Sequence, residues 1–440
     1  MIHILPLLIS FFLGLALVNA LLKNRLPGPL LTLFLSAVTG LGLSGFLTFT
    51  SFICFNRLVP WFVIGLNIAA LLALAPFAGI NALTAFRRLT LQDAAAIGVL
   101  VALMIPMIVF ASLYPNGGWD AWGFWNTKAR FLFLGGTEWT RMFDPVIWRT
   151  EIVYPFLLPL IHVWIWSFGP APTATVPMAM TCLIPFLTAG MLFAVLNEIT
   201  GHGRMLLVPA WLFSGMFVVT LSASQYCDLL LGLFLMTALS LFSLFQRTRA
   251  SGYLVLMGLV LGFASFTKVE GSALAMITAT CALVLILTDS TARHDRGRAA
   301  TLFAAATAAA ALPLVIFMTG YAPQHGINFT NGLLSTEHPA SWDRLRAVLA
   351  YYFKEFTGEK WNALWLGLGG ILALSGRKIF SRSVIIIPAV IGLYALTFTT
   401  MYTINTFYPA PWWLDTSLNR IIFATAPSLA LWAFLSAEST

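Results

Sequence analysis

Ile152-Val-Tyr-Pro-Phe-Leu-Leu-Pro-Leu-Ile-His-Val-Trp-Ile-Trp-Ser-Phe168 is an apolar run of 17 residues interrupted by Pro155 and Pro159. Whether it crosses a membrane decides the side on which every later loop lies. Thirteen other apolar runs read as spans, near 2–22, 30–54, 60–82, 94–114, 174–197, 205–221, 227–246, 253–267, 271–288, 299–319, 361–376, 384–403 and 418–437. If 152–168 stays on one side, short loops on one face receive Lys23, Arg25, Arg87, Arg88, Arg204, Arg247, Arg249, Arg293, Arg296, Arg298, Arg377, Lys378 and Arg382. The short loops and span edges of the other face hold only Arg57, Lys268 and Arg420. Letting the segment cross would move nine of those thirteen cations, from Arg204 onward, to the opposite side. Cations concentrate in cytoplasmic loops, so the non-crossing arrangement is expected. It places the N-terminus outside, the C-terminus inside, and two long loops (115–173 and 320–360) on the outer face. Residues 152–168 then form a juxtamembrane or re-entrant helix lying against the bilayer.

Composition agrees with an all-α, polytopic helical membrane protein of about thirteen crossings. Charged residues make up 9% of the chain, apolar residues 59%, and mean hydropathy is +0.88. The net charge of +8 resides in short loops between spans rather than along one face, so no nucleic-acid partner is implied. Cys54, Cys182, Cys227 and Cys281 lie in or beside apolar spans, with no CxxC pair, which argues against a disulfide framework. The first span lacks a basic leader and a small-residue cleavage site, and reads as a retained helix. Residues 1–93 form an N-terminal group of three spans. Residues 94–440 hold the remaining spans and both long loops.

The loop after the fourth span is Pro115-Asn-Gly-Gly-Trp-Asp-Ala-Trp-Gly-Phe-Trp-Asn-Thr-Lys-Ala-Arg130. Asp120 stands there among Trp119, Trp122 and Trp125, ahead of Lys128 and Arg130. A carboxylate at the water boundary of so apolar a chain is a functional candidate. The same topology brings further charges to outer helix ends: Asp228 opens the seventh span, Lys268 and Glu270 form the turn before the ninth, and Asp415 and Arg420 precede the last. Such a set suits a reaction on a charged amphiphile, with a carboxylate as general base and cations neutralising a phosphate. Each residue also has a plainer role. Asp120 fits a helix cap, the tryptophans an interfacial belt, Asp228 a structural partner for Lys268, and Lys268 or Arg420 a snorkelling anchor. His162 fits a packed core position. The histidines show no metal-ligand spacing, and no P-loop or dinucleotide fingerprint occurs. Gly258 to Gly262 reads as helix packing between small residues. An enzyme on this scaffold would draw its energy from an activated substrate already in the membrane, not from ATP.

Taken in order, Gly118–Arg130, Tyr154-Pro-Phe-Leu-Leu-Pro159, Tyr226-Cys-Asp-Leu-Leu-Leu-Gly232, Gly258–Gly271 and Thr416-Ser-Leu-Asn-Arg420 resemble the glycosyltransferase-C superfamily. The resemblance covers roughly residues 94–437. It is nearest the bacterial branch with dolichyl-phosphate-mannose-type and lipid A aminoarabinose-type transferases. It implies an inverting transfer of one sugar from a polyprenyl-phosphate donor to a hydroxyl of a lipid-linked, glycan or protein acceptor. Asp120 would be the general base, and Lys268 and Arg420 would bind the donor phosphate. Trp119, Trp122, Trp125, Lys128, Arg130, Asp228, Glu270 and Asp415 would shape the pocket. Many relatives carry a second acidic residue where this chain has Ala121, so a divalent metal is not implied. The expected place is a bacterial inner membrane, with the active face in the periplasm. A transporter or flippase, and an O-antigen ligase or polymerase acting on lipid-linked glycans, are the alternatives. Arg344, Arg346, Lys354, Lys360, Trp342, Tyr351 and Tyr352 in the second long loop suit either a cover for the cavity or an interfacial helix.

Overall fold

A computed structural model describes residues 3–78, 89–144, 146–147, 153–289, 295–323, 341–405 and 409–438. Arg87, Arg88, Arg293 and residues 324–340 of the second long loop lie outside these. Every regular element among the described residues is helical. In chain order the helices are α1 (Ile4–Leu22), α2 (Pro29–Phe55), α3 (Pro60–Ala78), α4 (Leu91–Ala102), α5 (Ile105–Leu113), α6 (Asn126–Leu134), α7 (Leu157–Trp166), α8 (Thr175–Thr200) and α9 (Leu207–Leu212). They continue with α10 (Met216–Ala223), α11 (Asp228–Thr248), α12 (Gly252–Ser265), α13 (Val269–Leu287), α14 (Arg296–Gly320), α15 (Trp342–Thr357), α16 (Leu364–Ser375), α17 (Ile386–Ile404) and α18 (Asn419–Glu438). Among the described residues ten helices are long and apolar enough to cross a membrane, the make-up of a multi-pass membrane protein. They are α1, α2, α3, the continuous α4–α5 unit, α8, α11, α13, α14, α17 and the segment Ala410–Glu438 that ends in α18.

Three of the thirteen expected spans take a form other than one long helix. The run 205–221 is broken into α9 and α10, which meet at 80°. Its Ser214-Gly215 break is a weak helix former, and Ser214 Oγ bonds back to Trp211 O at 2.8 Å. The run 253–267 yields α12, with 14 residues, and 361–376 yields α16, with 12. At 1.5 Å per residue these reach about 21 and about 18 Å, short of a hydrocarbon core of about 30 Å.

One part of the expectation for 152–168, a helix lying on the bilayer surface, is corrected. All ten residues of α7 are buried, enclosed chiefly by α2, α6 and α8, so the helix does not lie on the bilayer. Its sequence is apolar all round and has no polar face to offer headgroups. Pro155 stays outside the helix, and Leu157 N donates to Phe266 O at 2.9 Å, which ties α7 to the end of α12.

The core is centred on α11, buried from Asp228 to Phe245 and packed against α12, α8 and α18. Small residues permit the closest contacts. Ser10 and Ser44 share a 2.7 Å hydrogen bond between α1 and α2, and a Cβ on Gly14 would overlap Ser36 O. A Cβ on Gly258 or Gly262 would strike the backbone of α14 at Thr307 or Ala310, so this glycine pair does serve helix packing. α2 packs against α7, α8 and α12 as well as α1, which sets α2 inside the bundle.

Charges gather at the two ends of α11. At its start, Asp228 pairs with Lys268; at its end, Arg249 pairs with Asp289, which also takes Arg382. A helix of 21 residues separates the clusters by about 32 Å, close to one hydrocarbon thickness. Arg204 and Glu438 pair at the Arg249 end of the bundle, at 2.7 Å.

Candidate active site

The site begins where α5 ends. Gly117 takes a left-handed φ of +71°, a turn that few other residues tolerate, and Gly118 N then donates to Ser224 O at 3.0 Å. Gln225 fastens the same junction from the other side. Its Nε2 donates to Pro115 O at 3.0 Å, and its Oε1 accepts from Asn126 Nδ2 at 2.8 Å. The aromatic loop is therefore stitched to the loop that opens α11. Asp120 follows, immediately before a π-helical turn at Ala121–Trp125. A second π-helical turn, Leu414–Leu418, immediately precedes Asn419 and Arg420. Single π turns of this kind cluster at functional sites.

These two turns face each other, and Arg420 donates to Asp120 across the gap. The Arg420 guanidinium also lies over the Tyr226 ring, 5.2 Å from its centroid. Burial raises the Tyr226 pKa, and the Asp120 charge raises it further, so this phenol stays protonated.

A second charged group lies behind the first. Lys268 Nζ is 3.0 Å from Asp228 Oδ1 and 3.0 Å from Glu270 Oε1. Both carboxylates stand in the first turn of a helix, α11 and α13 respectively, where the helix dipole favours negative charge. Burial alone would lower the Lys268 pKa, but the two carboxylates outweigh it and hold the pKa above that of a free lysine. Tyr154 links this group to the first loop. Its hydroxyl donates to Glu270 Oε1 at 3.4 Å, its carbonyl accepts from Lys128 Nζ at 2.9 Å, and its ring stacks on Trp125 at 5.8 Å.

Asp120, Arg420, Glu270, Tyr154 and Tyr226 line one cavity of about 630 Å³. Trp119, Phe398, Trp412 and Trp413 form much of its apolar wall. Tyr402 closes one side, its hydroxyl 2.7 Å from Ser417 Oγ. A pocket that is mostly apolar with a few convergent polar groups is the usual form of a small-ligand site.

The other expected residues fall elsewhere. Lys268, 3% exposed, and Asp228 lie behind the cavity wall, so the ammonium expected to bind phosphate is already matched by two carboxylates. Trp125 and Lys128 are buried supports of Tyr154. Trp122 and Arg130 line a separate small cleft with Asn126 and Trp166. Asp415 is exposed and meets α15 instead, accepting from Tyr351 at 3.3 Å and lying 4.0 Å from Lys354. α15 contributes nothing to the cavity wall. It is pinned beside the rim by Arg344, which donates to Tyr402 O at 2.7 Å and to Asn405 O at 2.5 Å. His162 is fully buried in α7, away from the cavity. Among the described residues no group of three His, Cys, Asp or Glu side chains is placed to hold a metal ion.

Sequence reasoning passed over Tyr402 and Phe398, which sit in an apolar span with no charge to mark them, and gave Trp413 no role although it stands two residues before Asp415. Tyr154 and Tyr226 were visible only as neighbours of Pro155 and Asp228. Comparison of the chain with protein-family models, curated proteins and solved structures gives no match.

Proposed function

We propose that the protein is an integral-membrane glycosyltransferase that moves one sugar from a polyprenyl-phosphate donor to a hydroxyl of a lipid-linked, glycan or protein acceptor. The observation that carries this reading is the Asp120–Arg420 pair on the wall of an aromatic cavity at one end of the helices. It supplies a base and an anion partner side by side. Asp120 takes the proton of the acceptor hydroxyl while the hydroxyl oxygen attacks the anomeric carbon from the face opposite the phosphate. The bond from that carbon to the phosphate oxygen breaks, and its electron pair leaves with polyprenyl phosphate. Arg420 neutralises the charge that grows on the phosphate. Configuration inverts.

The remaining residues support that chemistry. Trp119, Trp412 and Trp413 offer ring faces to the sugar and to the first prenyl units. The buried Asp228–Lys268–Glu270 group is a positioning device that holds Glu270 and, through Tyr154, the loop of Asp120. Cation placement supports a cavity on the outer face, which in this reading is the periplasmic side of a bacterial inner membrane. The test is transfer by the purified protein in nanodiscs, with polyprenyl-phosphate sugars as donors and release of polyprenyl phosphate as the readout.

One observation favours a second reading, translocation of the same lipid-linked substrate. The 80° break between α9 and α10 is the kind of interrupted helix that transporters use, and Leu221 of α10 reaches the cavity. Movement of intact donor between leaflets, without loss of its sugar, would select that reading.

A further inference from the structure

Glu270 is only half used by its protein partners. Lys268 and Tyr154 both engage Oε1, while Oε2 is buried and has no hydrogen-bond partner. The residue is 9% exposed and lines the cavity, so the unmatched oxygen belongs to the site. Arg420 is in the complementary position. One of its terminal nitrogens holds Asp120, and its Nε is buried without a partner on the same cavity wall.

The two atoms differ in kind. A carboxylate oxygen only accepts hydrogen bonds, and a guanidinium N–H only donates them. Each lost its water on burial and regains the loss only from a ligand of the right sense. A bare phosphate satisfies Arg420 but brings no donor to Glu270. A hydroxyl alone satisfies Glu270 but gives Arg420 no anion. A phosphate ester of a hydroxylated ring satisfies both, and Trp119 and Trp413 supply surfaces for its C–H faces.

We infer that Glu270 is a specificity-determining residue for the donor sugar: its Oε2 accepts a hydrogen bond from a ring hydroxyl of the sugar whose phosphate Arg420 binds. The inference rests on the glycosyl-transfer reading and names a sugar contact within it. Lys268 and Tyr154 fix Oε1, and Oε2 is left as the oxygen that a ligand of the cavity can engage. Asp228 shares Lys268 and keeps its ammonium charged when a ligand occupies the site.

The test is equilibrium binding to the purified full chain in nanodiscs, comparing bare polyprenyl phosphate with a panel of its hexosyl and pentosyl esters. At least one ester is expected to bind about tenfold more tightly than bare polyprenyl phosphate, the margin of one charge-assisted hydrogen bond. Glu270→Gln is expected to erase that margin, read as the ratio of ester to bare polyprenyl-phosphate affinity within the variant, with its thermal unfolding showing that it is folded. Glu270→Asp keeps the charge beside Lys268 and draws the oxygen back by one methylene. It is expected to behave the same way and decides the matter if the glutamine variant does not fold. The inference is overturned if no ester outbinds the bare phosphate, or if the margin survives in a folded variant. A wild-type protein that binds ester and bare polyprenyl phosphate equally leaves the glycosyl-transfer reading standing. One that does not bind polyprenyl phosphate at all defeats that reading as well.

Discussion

Arg420 and Asp120, 300 positions apart in the chain, are joined by an ion pair on the wall of the cavity. The pair has a direct consequence for the proposed chemistry. While Arg420 holds Asp120, the carboxylate oxygen is engaged and the guanidinium is a weaker anion partner. A donor phosphate competes with Asp120 for Arg420, and its arrival frees the base.

Replacing Asp120 with asparagine separates these two effects. Transfer is expected to fall by about 10²–10⁴-fold, the usual contribution of a general base. Binding of bare polyprenyl phosphate is expected to tighten, because Arg420 loses its competing carboxylate. Weaker phosphate binding by Asp120→Asn would show that the two residues do not compete.

Arg420→Gln is expected to abolish polyprenyl-phosphate binding, and Arg420→Lys to restore only part of it. A lysine supplies the charge but not the second donor nitrogen of the fork. Titrations of the three proteins with polyprenyl phosphate at fixed ionic strength make the comparison. Equal affinity in the arginine and lysine forms would remove the unpartnered Nε from the account.

Lys268 is expected to matter for stability before binding. Lys268→Met leaves Asp228 and Glu270 buried without their shared cation, at a cost of about 3–5 kcal/mol. Adding Asp228→Asn is expected to recover part of that loss in thermal unfolding of the detergent-solubilised protein. The pH dependence follows from the sign of the shift. The folded pKa of Lys268 is raised, so its stabilisation is fully present below the unfolded value of about 10.4 and fades only as pH rises through the folded value. Lys268 itself is therefore expected to add no slope to the stability of the wild type between pH 6 and about pH 9. A loss of stability in that interval that is absent from Lys268→Met would place the proton elsewhere.

Topology is open to cysteine labelling, in a background where the exposed Cys54 is replaced by serine. Ala171 and Gly203 are exposed and flank α8 at its two ends. Ala171→Cys is expected to react with a membrane-impermeant maleimide from the outer face, and Gly203→Cys only after the membrane is opened. The reverse pattern would turn the protein over and put the cavity inside.

Much of the helical framework is legible in the sequence, because apolar runs long enough to cross have little alternative in a chain so poor in charge. The charged candidates stand out for the same reason. Asp120, Asp228, Lys268, Glu270 and Arg420 interrupt an apolar background, and all five meet in space. Of their pairings, only that of Asp228 with Lys268 was open to sequence reasoning, as one of two alternatives. Nothing in the local sequence tells whether Lys268 faces a ligand or two carboxylates, since Asp228 lies 40 residues away. The broken and shortened helices were hidden for backbone reasons. Asn362 and Ala363 both adopt left-handed φ, of 50° and 57°, and start α16 late at a place with no glycine to announce it. The two π-helical turns each widen a helix without a sequence mark, yet they set the approach of Asp120 and Arg420. The burial of α7 escaped notice because an apolar run of that length fits a bilayer surface and a protein interior equally well.

The most direct test of the central claim is a structure of the purified protein with polyprenyl phosphate bound. The expected result is a phosphate against Arg420, with Asp120 released from the guanidinium and turned toward the open cavity, and the prenyl chain leaving between helices into the lipid. A phosphate bound elsewhere, with the Asp120–Arg420 pair intact, would contradict the account and leave that pair as a structural clasp between two loops.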